Sequence, residues 1–136
     1  MTEDRVEFRT PKTMPPTAGY HHIAVVPPGA TTLYLSGQVP FDTEGNLVGQ
    51  HDFAGQAEQV FRNIEAALRA VGADFGDVVK LGMFVSDMSN IGALREVRDR
   101  FIDMSNPPTS TLVEVSGFIR PEIMLEVDAI AVLGPT

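Results

Sequence analysis

Residues 125–132 read Leu-Glu-Val-Asp-Ala-Ile-Ala-Val. This is a strand-like apolar run carrying two carboxylates, and the spacing of Glu126 and Asp128 sets both on one face of an extended chain. Little else in the sequence offers chemistry. There is no cysteine, no histidine pair at helical metal-binding spacing, no phosphate-binding glycine loop and no Gly-x-Ser-x-Gly turn. A carboxylate on a rigid strand is therefore the leading candidate for an acid/base group.

The neighbouring elements follow from local pattern. Thr109–Val115 reads as a strand, joined to a last strand over Met124–Val132 by Ser116-Gly117-Phe118-Ile119-Arg120-Pro121. Val78–Val85 reads as a buried strand. Ahead of it, Ala57, Val60, Phe61, Ile64, Ala67, Leu68 and Val71 recur at the spacing of one helical face, with Asp52 as N-cap and Gly72 as C′ residue. Glu58 with Arg62 and Glu65 with Arg69 form i,i+4 pairs on its exposed side. A second helix is expected from about Asn90 to Met104, capped by Ser89, striped by Ile91, Leu94, Val97 and Phe101, and ended by Pro107-Pro108. Nearer the start, Tyr20–Val26 and Thr32–Gln38 read as strands, and the Pro27-Pro28-Gly29 loop suggests a hairpin between them. Turn chemistry at 41–46 leads into a short return strand at Leu47-Val48. Residues 1–19, with Pro11, Pro15 and Pro16, read as a mobile arm or extended lead-in; 20–136 reads as one domain.

The order β-β-β-α-β-α-β-β implies an α+β architecture: a mixed six-stranded sheet with two helices on one face. The helix–strand–helix–strand middle argues for a parallel pair. No helix remains for the other sheet face, whose apolar residues need another surface, most simply a second subunit.

Composition narrows the function classes. A chain of 136 residues with 43% apolar content supports a core without disulfide or metal. The absence of cysteine excludes zinc-thiolate sites and cysteine catalysis, and it fits a reducing compartment. A net charge of −8 with scattered bases argues against nucleic acid. No stretch approaches the ~20 apolar residues of a membrane span. The acidic, polar N-terminus is unlike a signal peptide, so a cytoplasmic location is expected.

Several ordered segments carry a family resemblance: Leu35-Ser36-Gly37-Gln38-Val39-Pro40, Gln56-Ala57 with Asn63-Ile64, and Gly76-Asp77-Val78-Val79-Lys80 running into Phe84-Val85-Ser86-Asp87-Met88. Pro108 through Val113-Glu114-Val115 follows, then Leu125–Val132. Together they resemble the Rid (YjgF) family of enamine/imine deaminases over roughly Tyr20 to Val132. The resemblance implies a chorismate-mutase-like fold, a homotrimer with intersubunit clefts, and hydrolysis of 2-aminoacrylate and related 2-imino acids to 2-keto acids and ammonia without any cofactor or metal.

In site residues, the resemblance implies that Glu126 holds the water and that Ser36, Gly37 and Gln38 contribute to the cleft, with Tyr20 as the nearest counterpart of a pocket tyrosine. It also places Ser110 where the deaminases carry a carboxylate-anchoring arginine, and Leu112 two residues further on. Serine donates one hydrogen bond but cannot form a fork. Arg120, in the loop before the last strand, is the candidate substitute, although an arginine before Pro121 is more often a solvated loop charge. The expected function is accordingly a C=N hydrolase with a non-standard substrate; the alternatives are a non-enzymatic, ligand-binding or regulatory trimer, and an acidic interaction protein for which no motif speaks. Asp128 reads as solvated or paired with a surface base. His21 and His22 point to opposite faces of a strand, cannot meet on one ion within a subunit, and read as partly exposed strand residues.

Overall fold

A computed structural model describes residues 5–135; residues 1–4 of the expected arm and residue 136 lie outside the described residues. The strands are β1 (Glu7–Arg9), β2 (Ile23–Val25), β3 (Thr31–Gln38), β4 (Val78–Val85), β5 (Thr109–Glu114) and β6 (Leu125–Leu133). The helices are α1 (Phe53–Ala70) and α2 (Ile91–Arg98). Four strands form the main sheet in the order β3-β6-β4-β5, with β6 antiparallel to both neighbours and β4–β5 parallel as expected.

The central strand β6 is placed by its alternation. Leu125, Val127, Ala129 and Ala131 are buried beneath the helices, while Glu126, Asp128 and Ile130 turn to the sheet's other face. Leu81, Met83 and Val85 of β4 join them, and α1 supplies Ala57, Val60, Phe61, Ile64 and Leu68. Phe61, Phe75 and Phe101 pack as an aromatic trio with centroids 5.5–6.1 Å apart. α1 is bounded as expected. Asp52 accepts from the Gly55 amide at 3.1 Å, and Gly72 takes the left-handed conformation (φ 78°) beyond the helix end.

Several expectations need correction. The six strands do not make one sheet: β1 and β2 pair as a separate antiparallel ribbon. The β2–β3 hairpin is therefore absent, because two successive prolines without amide donors interrupt the chain there and β3 takes β6 as its partner. The return strand at Leu47-Val48 shrinks to a single bridge between Leu47 and Phe41, while β1 falls in a stretch where no strand was read. Finally, α2 stops at Arg98: the amides of Arg100 and Phe101 bond to carbonyls three residues back, tightening the chain although its apolar stripe continues. Its lead-in is a 3₁₀ turn over Met88–Asn90 capped by Asp87 rather than Ser89. The Ser89 amide donates to Asp87 at 2.9 Å and holds that carboxyl below its usual range.

Gln56 is the one fully buried uncharged polar side chain among the described residues. Its Nε2 donates to the carbonyls of Gly49 (3.1 Å) and Glu122 (2.8 Å), and its Oε1 accepts from the Met124 amide (2.8 Å). These bonds tie α1 to the start of β6 and so set where Glu126 stands. Gln56→Leu keeps the volume but strands these backbone groups, at a cost of about 2–4 kcal/mol. Thermal denaturation should show Tm lower by ~10 °C.

Candidate functional site

The main sheet has two unlike faces, and the site candidates divide between them. On the face without helices, Glu126 of β6 lies against Gly37 of β3. The β3–β6 register shifts between Leu35 and Gln38, at the position of this contact. A Cβ at position 37 would collide with the Glu126 carboxylate, so any larger residue there would push that carboxylate out of its place. Asp128 is housed the same way against Gly82 of β4. Among the described residues, neither Glu126 nor Asp128 has a side-chain hydrogen bond or ion-pair partner.

Ser36 and Gln38 flank Gly37, and Gln38 Nε2 donates to the Ser36 carbonyl at 3.1 Å. The turn beyond them is fixed by Asn63 of α1, whose Nδ2 donates to the carbonyls of Val39 (3.2 Å) and Phe41 (2.9 Å). Gly37, Gln38 and Phe41 line an open hollow of about 330 Å³. Arg120 stands over the Phe41 ring at 5.6 Å and pairs with Glu122 at 2.9 Å. Arg120 is thus near the Ser36–Gln38 strand end and away from Ser110; within one chain it does not fill the place of an anchor beside Ser110.

Ser110 and Tyr20 meet on the opposite, helix-bearing side. Ser110 sits opposite Leu81 in the β4–β5 ladder, sharing the buried face of Leu81 and Met83. A cleft of about 300 Å³ is lined by Tyr20, Ser110, Thr111, Arg95 and Arg98, with Met83, Leu94 and Leu112 as its apolar floor. The sequence reading passed over Arg98. Its signal was positional: it stands four residues beyond Leu94 and seven beyond Ile91, on the buried stripe of α2, where an unpaired charge is costly.

The histidines do structural work. His21 contacts Thr10 Oγ1 (3.1 Å) and Asn106 Oδ1 (3.2 Å) and stacks on Phe8. His22 Nε2 donates to the Pro15 carbonyl at 2.8 Å. Together they fasten the lead-in to the body and bring Tyr20 to its cleft. Among the described residues, no group of three or more His, Asp or Glu side chains is placed to hold a metal ion, and no helix is long and apolar enough to cross a membrane.

Comparison with known proteins agrees with this architecture. DfrA of Myxococcus xanthus is 36% identical over 118 residues, spanning 87% of this chain and 88% of DfrA. The 2-iminobutanoate/2-iminopropanoate deaminase of Mus musculus is 32% identical over 104 residues, 76% of each chain. The crystal structure of the Rid-family protein YyfB from Yersinia pestis superposes with a TM-score of 0.84 at 30% identity, covering 94% of this chain and 98% of YyfB. The family described as Endoribonuclease L-PSP matches residues 10–133. With that match over nearly all of its length, the α+β chain described above belongs to the Endoribonuclease L-PSP family, the group that includes the YjgF/Rid proteins.

Proposed function

We propose that this protein is a cytosolic homotrimer that hydrolyses the C=N bond of a small imine, with Glu126 positioning the water. The observation that carries the reading is the Glu126 carboxylate, held on the central strand over the bare backbone of Gly37 with no protein partner among the described residues. Water bound to Glu126 gives up a proton to the carboxylate as its oxygen adds to the imine carbon. The carbinolamine then takes the proton back on nitrogen and collapses to a carbonyl compound and ammonia. The deaminase name of the mouse relative supports this chemistry.

Ser110 and Tyr20 lie across the sheet from Glu126, so a pocket using both groups needs more than one chain. The uncovered face carries Tyr34 (80% exposed) and Val113 (39% exposed), apolar surface suited to a second copy. Three chains meeting there would agree with the trimer that the family resemblance implies. Ser110 stands where that resemblance places an arginine, so another group must hold the substrate's carboxylate or the substrate has none. A trimer that binds a small molecule without turnover is the second reading, favoured by the same serine. RNA cleavage, which the family's description suggests, finds no support in a net charge of −8.

Ammonia release from freshly generated 2-aminoacrylate or 2-iminobutanoate tests the hydrolase. Acceleration above buffer is expected, and Glu126→Gln should lower kcat by at least ~10²-fold while ligand affinity stays. A wild-type rate equal to buffer would remove the reading. Gly37→Ala forces the Glu126 carboxylate aside and should lower kcat by a comparable factor, with circular dichroism unchanged. Light scattering should give three times the 14.7 kDa chain mass, and Tyr34→Glu should shift it towards one chain.

A further inference from the structure

Arg98 is a guanidinium in an unusual position. The residue is 9% exposed, at the end of α2, and its side chain faces the cleft of Tyr20 and Ser110. Among the described residues Asp99 alone pairs with it: Nε donates to Asp99 Oδ1 at 3.0 Å, and Nη2 lies 2.9 Å from the same oxygen. One carboxylate oxygen thus takes one edge of the fork. Among the described residues, Nη1 has no hydrogen-bond partner. Asp99 is itself half exposed, so it neutralises the buried charge only in part.

The backbone closes over the other side. A Cβ at Gly19 would sit 3.1 Å from Nη2 and 3.5 Å from Nη1, which leaves the cleft as the approach to the free donors. Tyr20, Ser110 and Thr111 bring hydroxyls to that cleft, and a second guanidinium, Arg95, stands on its lining. Two arginines beside these hydroxyls, in a chain of net charge −8, make this cleft a place where positive charge and hydrogen-bond donors are concentrated. Met83, Leu94 and Leu112 floor the same space, which at about 300 Å³ admits a short aliphatic chain behind the charged head.

We propose that Arg98 is the specificity-determining residue of this cleft, holding the carboxylate of a small aliphatic 2-imino or 2-keto acid together with Ser110 and Tyr20. Asp99 positions the guanidinium. The inference deepens the hydrolase reading and rests on it for the reaction, but the binding step stands alone. The charge absent from β5 at Ser110 is supplied from α2, on the far wall of the same cleft.

Calorimetric titration with 2-oxobutanoate, a stable keto acid, tests the binding step, and 2-butanone serves as the probe lacking the carboxylate. The wild type should bind 2-oxobutanoate and not 2-butanone. Arg98→Met should weaken binding by about 10- to 100-fold, with partial recovery in Arg98→Lys. Equal affinity in Arg98→Met, equal binding of the two probes, or no binding of 2-oxobutanoate by the wild type overturns the proposal. Should Arg98→Met not fold, Ser110→Asp decides: its carboxylate pairs with Arg98 and should abolish 2-oxobutanoate binding, and unchanged binding overturns the proposal. A wild type that binds through Arg98 but releases no ammonia upholds this inference and removes the hydrolase reading. Turnover of an imino acid with unaltered KM in Arg98→Met upholds the hydrolase and removes this inference.

Discussion

The structure depends on the two-residue alternation of β6. Because this strand lies inside the sheet, bonded to β3 on one side and β4 on the other, its register decides which residues meet the helices. Moving it by one residue would bury Glu126 and Asp128 under α1 and expose Leu125 and Val127. The cost of burying two carboxylates among apolar side chains forbids that slip. The same preference that drives Leu125, Val127, Ala129 and Ala131 inward thus delivers Glu126 to the opposite face, and Gln56 pins the strand's entry so that the delivery is repeatable.

The sheet then acts as a partition between two chemistries. One side offers a carboxylate without a partner among the described residues, over glycine backbone; the other offers guanidinium and hydroxyl groups above an apolar floor. A carboxylate and an anion receptor would quench each other if they shared a pocket within one chain, as Asp99 already partly quenches Arg98. Separation by a sheet keeps both available. It also makes the activity proposed here a property of assembled chains, in which the uncovered face of one copy can be brought to the cleft of another.

Much of this was legible in the residues. Helix α1 had a full apolar stripe, an N-cap and a C′ glycine, all of which agree with one another, and β4 had an uninterrupted apolar run. The co-facial placement of Glu126 and Asp128 needed only the strand period. The length of α2 did not follow from its stripe, because Phe101 and Ile102 pack inward whether the chain is helical or tightly turned there. The β1–β2 ribbon was hidden by brevity, since three-residue strands carry almost no periodic signal. Arg98 was hidden because a charge on a helix is usually solvated, and burial is a property of what packs above it.

By itself the sequence determined what repeats locally: the strands and helices of strong period, the cap residues, and the shared face of the two acids. Backbone geometry and the cost of burying charge suffice for these. Only the tertiary structure decided the strand partners, the close fit of Glu126 against Gly37, and the meeting of Tyr20, Arg98 and Ser110. These groups lie far apart along the chain, and their approach is fixed by register and packing between elements, which no local pattern encodes.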